Sequence, residues 1–191
     1  MPTPLTPGHT PLPEGVGVGL FSLEGKIALV TGSSKGLGKG MAIGLAQAGA
    51  HVLINSRNKE ECQAVVQEII SLGCKASEAS FDVVDETAVA DSVAALAEAH
   101  GSIDILVNNA GGTRRSPFLE STSEDLDWVI NLNLRGPYFM ARECGKVMQA
   151  NGGGKIINIA SLMSVLGRAT IQPYNATKYA INGAGCVSAC G

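Results

Sequence analysis

No lysine or arginine precedes Lys26, so the N-terminus has neither the charged start of a secretory signal nor the arginines of an organellar transit sequence. No apolar run approaches the ~20 residues that span a bilayer, and a membrane protein is not expected. Positive charge is not in excess: 14 lysines and arginines stand against 17 aspartates and glutamates, which gives no bias toward nucleic acid. The five cysteines, at positions 62, 74, 144, 186 and 190, are odd in number and lack both Cys-x-x-Cys and Cys/His ligand spacing. They read as reduced thiols of a cytoplasmic protein, and no metal site is expected. Hydrophobic periodicity is missing from residues 1–20, which hold Pro2, Pro4, Pro7, Pro11 and Pro13 with Gly8, Gly15, Gly17 and Gly19; this stretch reads as a flexible tail.

What remains, residues 21–191, has the size of one domain, and a chain that is 45% hydrophobic can bury a real core. Short β-rich runs alternate with helical patterns. Ile27-Ala28-Leu29-Val30, His51-Val52-Leu53-Ile54-Asn55, a weaker Ala79-Ser80-Phe81, Ile103-Asp104-Ile105-Leu106-Val107 and Lys155-Ile156-Ile157-Asn158-Ile159 read as strands. Between them, Cys62, Val65, Val66 and Ile69 mark one helix face, and Val89, Val93 and Leu96 mark another that starts at Asp85. Thr122-Ser123-Glu124-Asp125 reads as an N-cap with an acidic first turn, for a helix running through Trp128, Val129 and Asn133. Such alternation implies an α/β fold, a doubly wound parallel sheet with helices on both faces. Ligands then bind at the carboxyl ends of the strands, where Gly32, Asp82, Asn109 and Ser161 converge.

Two motifs carry chemistry. Thr31-Gly32-Ser33-Ser34-Lys35-Gly36-Leu37-Gly38 lies between the first strand and a helix. Missing Cβ atoms there let a diphosphate approach the backbone, and the unpaired N–H groups of the helix start point at the anion. The second motif is Tyr174 with Lys178, one helical turn apart on one face. A phenol titrates near pH ~10, and an adjacent ammonium favours the phenolate, which suits tyrosine to proton transfer nearer neutrality. Pro137 follows Asn133 by four residues, so the Asn133 carbonyl should lose its helical partner at a kink and become free to bind water. A buried asparagine capping a broken helix is the alternative.

With the glycine pattern, Asn108-Asn109-Ala110-Gly111, Asn133, Ser161, Tyr174 and Lys178 in this order, residues 23 to 182 resemble the short-chain dehydrogenase/reductase family. Within it, Asn109 through Arg114-Arg115 and Ile156-Ile157-Asn158-Ile159-Ala160-Ser161 are most like gluconate 5-dehydrogenases and 3-oxoacyl carrier-protein reductases. The resemblance implies a Rossmann-type fold and an oxidoreductase that interconverts a carbonyl and a secondary alcohol, a small-molecule substrate in either direction. Tyr174 would be the proton donor and Lys178 would tune the phenol and hold the nicotinamide ribose. Ser161 would bond the substrate carbonyl, with Ser164 as its rival, and Asn133 would support a water relay. Asn109, Ala110 and Gly111 would line the adenosine side, with Asp82 and Val83 near the adenine.

Enzymes of this kind that use NAD carry an acid after the second strand to bond the ribose hydroxyls. Here Ser56 stands in that place, followed by Arg57, with Lys35 in the glycine-rich turn. Two cations and no acid favour NADP(H), with NAD(H) as the alternative. Arg114 and Arg115 could meet a carboxylate or polyol substrate or simply be solvated. Family members continue beyond the lysine with further strands, whereas this chain reaches only Gly191. The resemblance therefore implies a form lacking its C-terminal strands, with a helix frayed at Gly183 and Gly185. It leaves open an inactive variant that binds only nucleotide or a full-length relative. For a full-length form the resemblance implies a homo-oligomer.

Overall fold

The computed structural model describes residues 19–184. The expected tail therefore lies almost wholly outside the described residues, as do Gly185 and the residues after it. Five strands, β1 (Ile27–Val30), β2 (His51–Ile54), β3 (Lys75–Glu78), β4 (Ile105–Asn108) and β5 (Lys155–Asn158), form one sheet in the order β3-β2-β1-β4-β5. Every pairing is parallel, with Val30 opposite Ile54 on one side and Val107 on the other. Helices α1 (Gly36–Gln47), α2 (Lys59–Ser71), α3 (Glu86–His100), α4 (Ser123–Ile130), α5 (Gly136–Ala150) and α6 (Gln172–Ala184) complete the regular structure. Among them no helix is long and apolar enough to cross a membrane.

Two apolar layers follow from the pleat, because successive strand residues point to opposite faces. Ala28, Val30, Val52, Ile54 and Val107 pack with Ala42 and Ala46 of α1 and with Cys62, Val65, Val66 and Ile69 of α2. Leu29, Leu53 and Leu106 face the other way, onto Val89 and Val93 of α3 and Met140, Cys144 and Met148 of α5. Each such leucine, fully withdrawn from water, contributes about 1.5–3 kcal/mol. Cys144 lies in this second layer, where burial pushes its thiol up to about 12, so it remains protonated at neutral pH.

Several of the expected boundaries shift, and the second and fifth strands each end one residue early, at Ile54 and Asn158. The third strand is Lys75–Glu78 rather than residues 79–81, which only extend it: Ala79 N–H donates to Ile54 O and Phe81 N–H to Ser56 O. As an edge strand it needs no apolar stripe, and its Lys-Ala-Ser-Glu composition hid it. The fourth strand begins at Ile105 rather than Ile103, although Asp104 N–H still donates to Ile27 O and Asp104 O accepts from Lys155 N–H. The helix expected to run through Asn133 ends at Ile130 and widens into a π-turn, Asn131–Arg135, in which Gly136 N–H reaches Asn131 O. Pro137 then falls in the first turn of α5, where a missing N–H costs least. The expected caps are present: Asp85 accepts from Thr87 and Ala88 N–H, and Thr122 from Asp125 N–H.

Asp104 joins β1 to β4 at the end of the sheet away from the strand carboxyl ends. It accepts from Ile27 N–H at 2.8 Å, Ser102 Oγ at 2.9 Å and Lys26 Nζ at 3.2 Å. Burial pushes its carboxyl up, but these donors outweigh burial and hold it below the usual aspartate range. A depressed carboxylate stabilises the fold above its unfolded pKa of ~3.9, and that contribution disappears as pH falls through the lower folded value. Asp104→Ala should cost about 1–3 kcal/mol at pH 7. Urea unfolding of both proteins at pH 7 and at pH 3 checks this: the gap between them should narrow at pH 3.

Candidate active site

The strand order reverses between β1 and β4, and an open cavity of about 1300 Å³ lies over the carboxyl ends of the strands at this switch point. Its floor is braced by side chains. Thr31 Oγ1 donates to Val107 O at 3.3 Å and accepts Asn109 and Ala110 N–H at 3.0 Å each. Asn109 Nδ2 returns to Thr31 O at 2.9 Å and Gly32 O at 3.1 Å. Buried Asn55 spans the turn and the segment that follows β3, accepting from Gly32 N–H and donating to Ala79 O and Phe81 O.

The glycine-rich turn has the geometry an anion needs. Gly32 and Gly36 take φ of 63° and 58°, and a Cβ on Gly38 would overlap the Gly32 carbonyl oxygen and Asn109 Nδ2. The helices α2, α3 and α4 each begin with a side-chain cap and an acid in the first turn. By contrast α1 has neither, so its leading N–H groups face the cavity without an internal acceptor. Ser34, Lys35, Leu37 and Gly38 line this part of the cavity, with Ser56, Arg57, Asp82 and Val83 beyond them. Arg57 is three-quarters exposed, and its Nη1 lies 3.8 Å from Asp82. This donor set fits a dinucleotide: a diphosphate at the α1 terminus and cations at the ribose beyond it.

The other end of the cavity is lined by Ser161, Tyr174 and Lys178, with Asn109, Ala110 and Gly111 between the two ends. Lys178 is only 6% exposed; its Nζ donates to Ile159 O at 2.5 Å and lies 5.7 Å from the centre of the Tyr174 ring. Burial lowers its pKa from the ordinary lysine value. Ser161 begins a short 3-10 turn, Leu162–Ser164, and its hydroxyl accepts from Met163 N–H. Ser164 is buried and absent from the cavity wall; its hydroxyl accepts from Ser161 N–H at 3.3 Å and so braces the rival serine.

Three expected site residues do not line the cavity. Gly36 serves the turn through its φ. Asn133, 1% exposed, clamps the loop behind the wall: its Nδ2 donates to Gly112 O at 2.7 Å and its Oδ1 accepts from Gly112 N–H at 2.8 Å. Nδ2 also reaches Thr177 Oγ1, on α6 beside Lys178. Arg114 turns away, pairing with Asp125 at 2.8 Å and stacking on Trp128 at 4.9 Å, whereas its neighbour Arg115 lines the cavity. Sequence reasoning also missed Arg168, on the cavity wall. Its signal was available, since it is the sole cation between Ser161 and Lys178. Ser116 N–H donates to Thr170 O and Asn175 Nδ2 to Arg168 O, so the two arginine loops are tied together beside Tyr174.

Residues 26–186 match the short chain dehydrogenase family. Gluconate 5-dehydrogenase of Gluconobacter oxydans (strain 621H) is 46% identical over 162 residues, which are 85% of this chain and 63% of that protein. The 5-keto-D-gluconate 5-reductase of Escherichia coli (strain K12) is 38% identical, with 85% and 64% covered. Among solved structures, a gluconate 5-dehydrogenase from Burkholderia cenocepacia J2315, in complex with NADP and tartrate, superimposes with a TM-score of 0.85 at 41% identity. That match covers 87% of this chain and 66% of the other. The chain thus spans a little under two thirds of the length of these relatives.

Proposed function

This chain belongs to the short-chain dehydrogenase/reductase family, and from that premise we propose that it acts as an NADP(H)-dependent oxidoreductase interconverting a ketone and a secondary alcohol on a sugar acid. The observation that carries this reading is one cavity holding both an uncapped helix terminus with cations at one end and the Ser161, Tyr174 and Lys178 group at the other.

The nicotinamide, when bound, supplies or accepts the hydride. The protein's own residues handle orientation and the proton. In the reductive direction the Tyr174 hydroxyl donates its proton to the carbonyl oxygen as the C–H bond forms, leaving a phenolate. The nearby Lys178 side chain, held in place by the Ile159 carbonyl, favours that phenolate whenever it carries its charge. Ser161 donates a hydrogen bond to the same carbonyl oxygen, stabilising the charge that develops there. A water on the Asn133 main-chain carbonyl, which lies in the π-turn just before Pro137, would return the proton through Lys178. The Asn133 side chain has a separate task, fixing Gly112 and with it the loop that carries Arg115.

Names of the relatives point to polyhydroxy carboxylates, and Arg115 with Arg168 supply the matching charge beside Tyr174. NADP(H) is favoured because Lys35 and Arg57 flank the ribose end and Ser56 replaces the acid that would oppose a phosphate. The test is a cofactor and substrate matrix, following NADPH or NADH absorbance with 5-keto-D-gluconate, a neutral ketose of similar size and a 3-oxoacyl thioester. Turnover should be fastest with NADPH and the keto sugar acid. Preference for the neutral ketose would remove the arginines from substrate recognition.

A further inference from the structure

The ribose end of the cavity holds a carboxylate that the reading above does not use. Glu61 is the third residue of α2, with its own N–H capped by Asn58 Oδ1 at 2.9 Å. A glutamate in that position ordinarily reaches back to the N–H of the cap residue. Here that N–H is taken by Ser56 Oγ at 3.1 Å, and the Glu61 carboxylate instead accepts from Ser34 Oγ, at 2.8 Å, in the glycine-rich turn. Ser34, Ser56, Arg57 and Glu61 line the same end of the cavity. A carboxylate is absent after β2, where Ser56 stands, but α2 brings one to the same cavity, against Ser34.

Resting on the NADP(H) reading, we propose that Glu61 is a selectivity residue that acts against the 2′-phosphate and in favour of a 2′-hydroxyl, so that this site accepts both NADP(H) and NAD(H). The Ser34 hydroxyl has one proton to donate. A 2′-phosphate, which can only accept at neutral pH, must take that proton from Glu61 and then sit beside a like charge. A 2′-hydroxyl is a donor and can satisfy Glu61 directly. Arg57 is similarly engaged with Asp82 at 3.8 Å, so two of the groups a phosphate would use, Ser34 and Arg57, already have acidic partners, and Lys35 supplies the attraction. The cations attract the phosphate and Glu61 limits the resulting preference.

The test is binding of NADPH and NADH, followed by cofactor fluorescence at low ionic strength, with 2′,5′-ADP and ADP as probes of the ribose end alone. Glu61→Gln keeps the shape and removes the charge. It should tighten NADPH and 2′,5′-ADP and weaken NADH and ADP, raising the ratio of Kd for NADH to Kd for NADPH by about fivefold, the scale of an exposed charge pair. Added salt should shrink the shift. An unchanged ratio, a lower ratio, or equal tightening of both cofactors would overturn the proposal. Arg57→Glu, measured alongside, separates the two readings. Selective loss of NADPH in that variant with no ratio change in Glu61→Gln sinks this inference alone, whereas no selective loss in Arg57→Glu sinks the NADP(H) assignment itself.

Discussion

Tyr174→Phe should lower kcat for 5-keto-D-gluconate reduction by about 10²–10⁴-fold, the range that general acid catalysis supplies, while NADPH affinity changes little. The reason lies in what holds the neighbouring lysine. Lys178 Nζ is fixed by the Ile159 carbonyl at 2.5 Å rather than by the phenol, so removing the hydroxyl leaves the ammonium site and the cavity wall in place. Tyr174 is also only partly buried, and the ring that packs in α6 is retained in phenylalanine. Stability should therefore stay close to wild type, which a thermal melt run beside the kinetics verifies. Lys178→Ala would behave differently, because it empties a buried position and frees Ile159 O, and it should reduce cofactor affinity and kcat together. A Tyr174→Phe protein that turns over at near wild-type rate would assign the proton to another group.

The largest structural effect should come from Gly38→Val. Its Cβ would overlap the Gly32 carbonyl oxygen and Asn109 Nδ2, one of them main chain that has no rotamer to escape into. The glycine-rich turn must move, and Asn109 must shift from its bonds to Thr31 O and Gly32 O. Overpacking of this kind costs about 1–3 kcal/mol, and each lost buried hydrogen bond about 1 kcal/mol more. For a domain of this size, the melting point should fall by roughly 2–4 °C per kcal/mol, and NADPH binding should be lost with the turn. Gly40→Ala and Gly44→Ala, in the same helix, are the controls. A Cβ at either meets nothing within 4 Å, so both should stabilise α1 by about 0.5–1 kcal/mol. If all three substitutions behave alike, the effect belongs to helix propensity and the close approach of Gly38 to the β4 loop is immaterial.

The order of elements was legible from sequence because it rests on local signals. Apolar runs marked β1, β2, β4 and β5, side-chain oxygens marked the starts of α3 and α4, and the glycines marked the anion turn. The β3 edge escaped because Lys75-Ala76-Ser77-Glu78 carries no hydrophobic pattern. The π-turn escaped because Pro137 says that the helix must adjust, without saying how. Individual side-chain directions were least accessible. Arg114 and Arg115 are adjacent and chemically identical, yet Asp125 and Trp128, both on α4, draw one away and leave the other at the cavity. The same holds for Asn133, whose side chain proved to be a clamp on Gly112, and for Glu61, whose place at a helix start gave no sign that it reaches Ser34. Such choices are made by contacts between residues distant in sequence, which no periodicity records.

The central claim is that this cavity brings a nicotinamide and a keto sugar acid together beside Tyr174 and Lys178. It is tested most directly by following deuterium from the reduced cofactor into product. NADPH carrying deuterium at both positions of the transferring carbon should be consumed one for one with 5-keto-D-gluconate, and the label should appear as a carbon-bound deuterium at C5 of the resulting alcohol. Cofactor consumption without label at that carbon, or no label transfer from a well-folded protein that binds both molecules, would contradict the account.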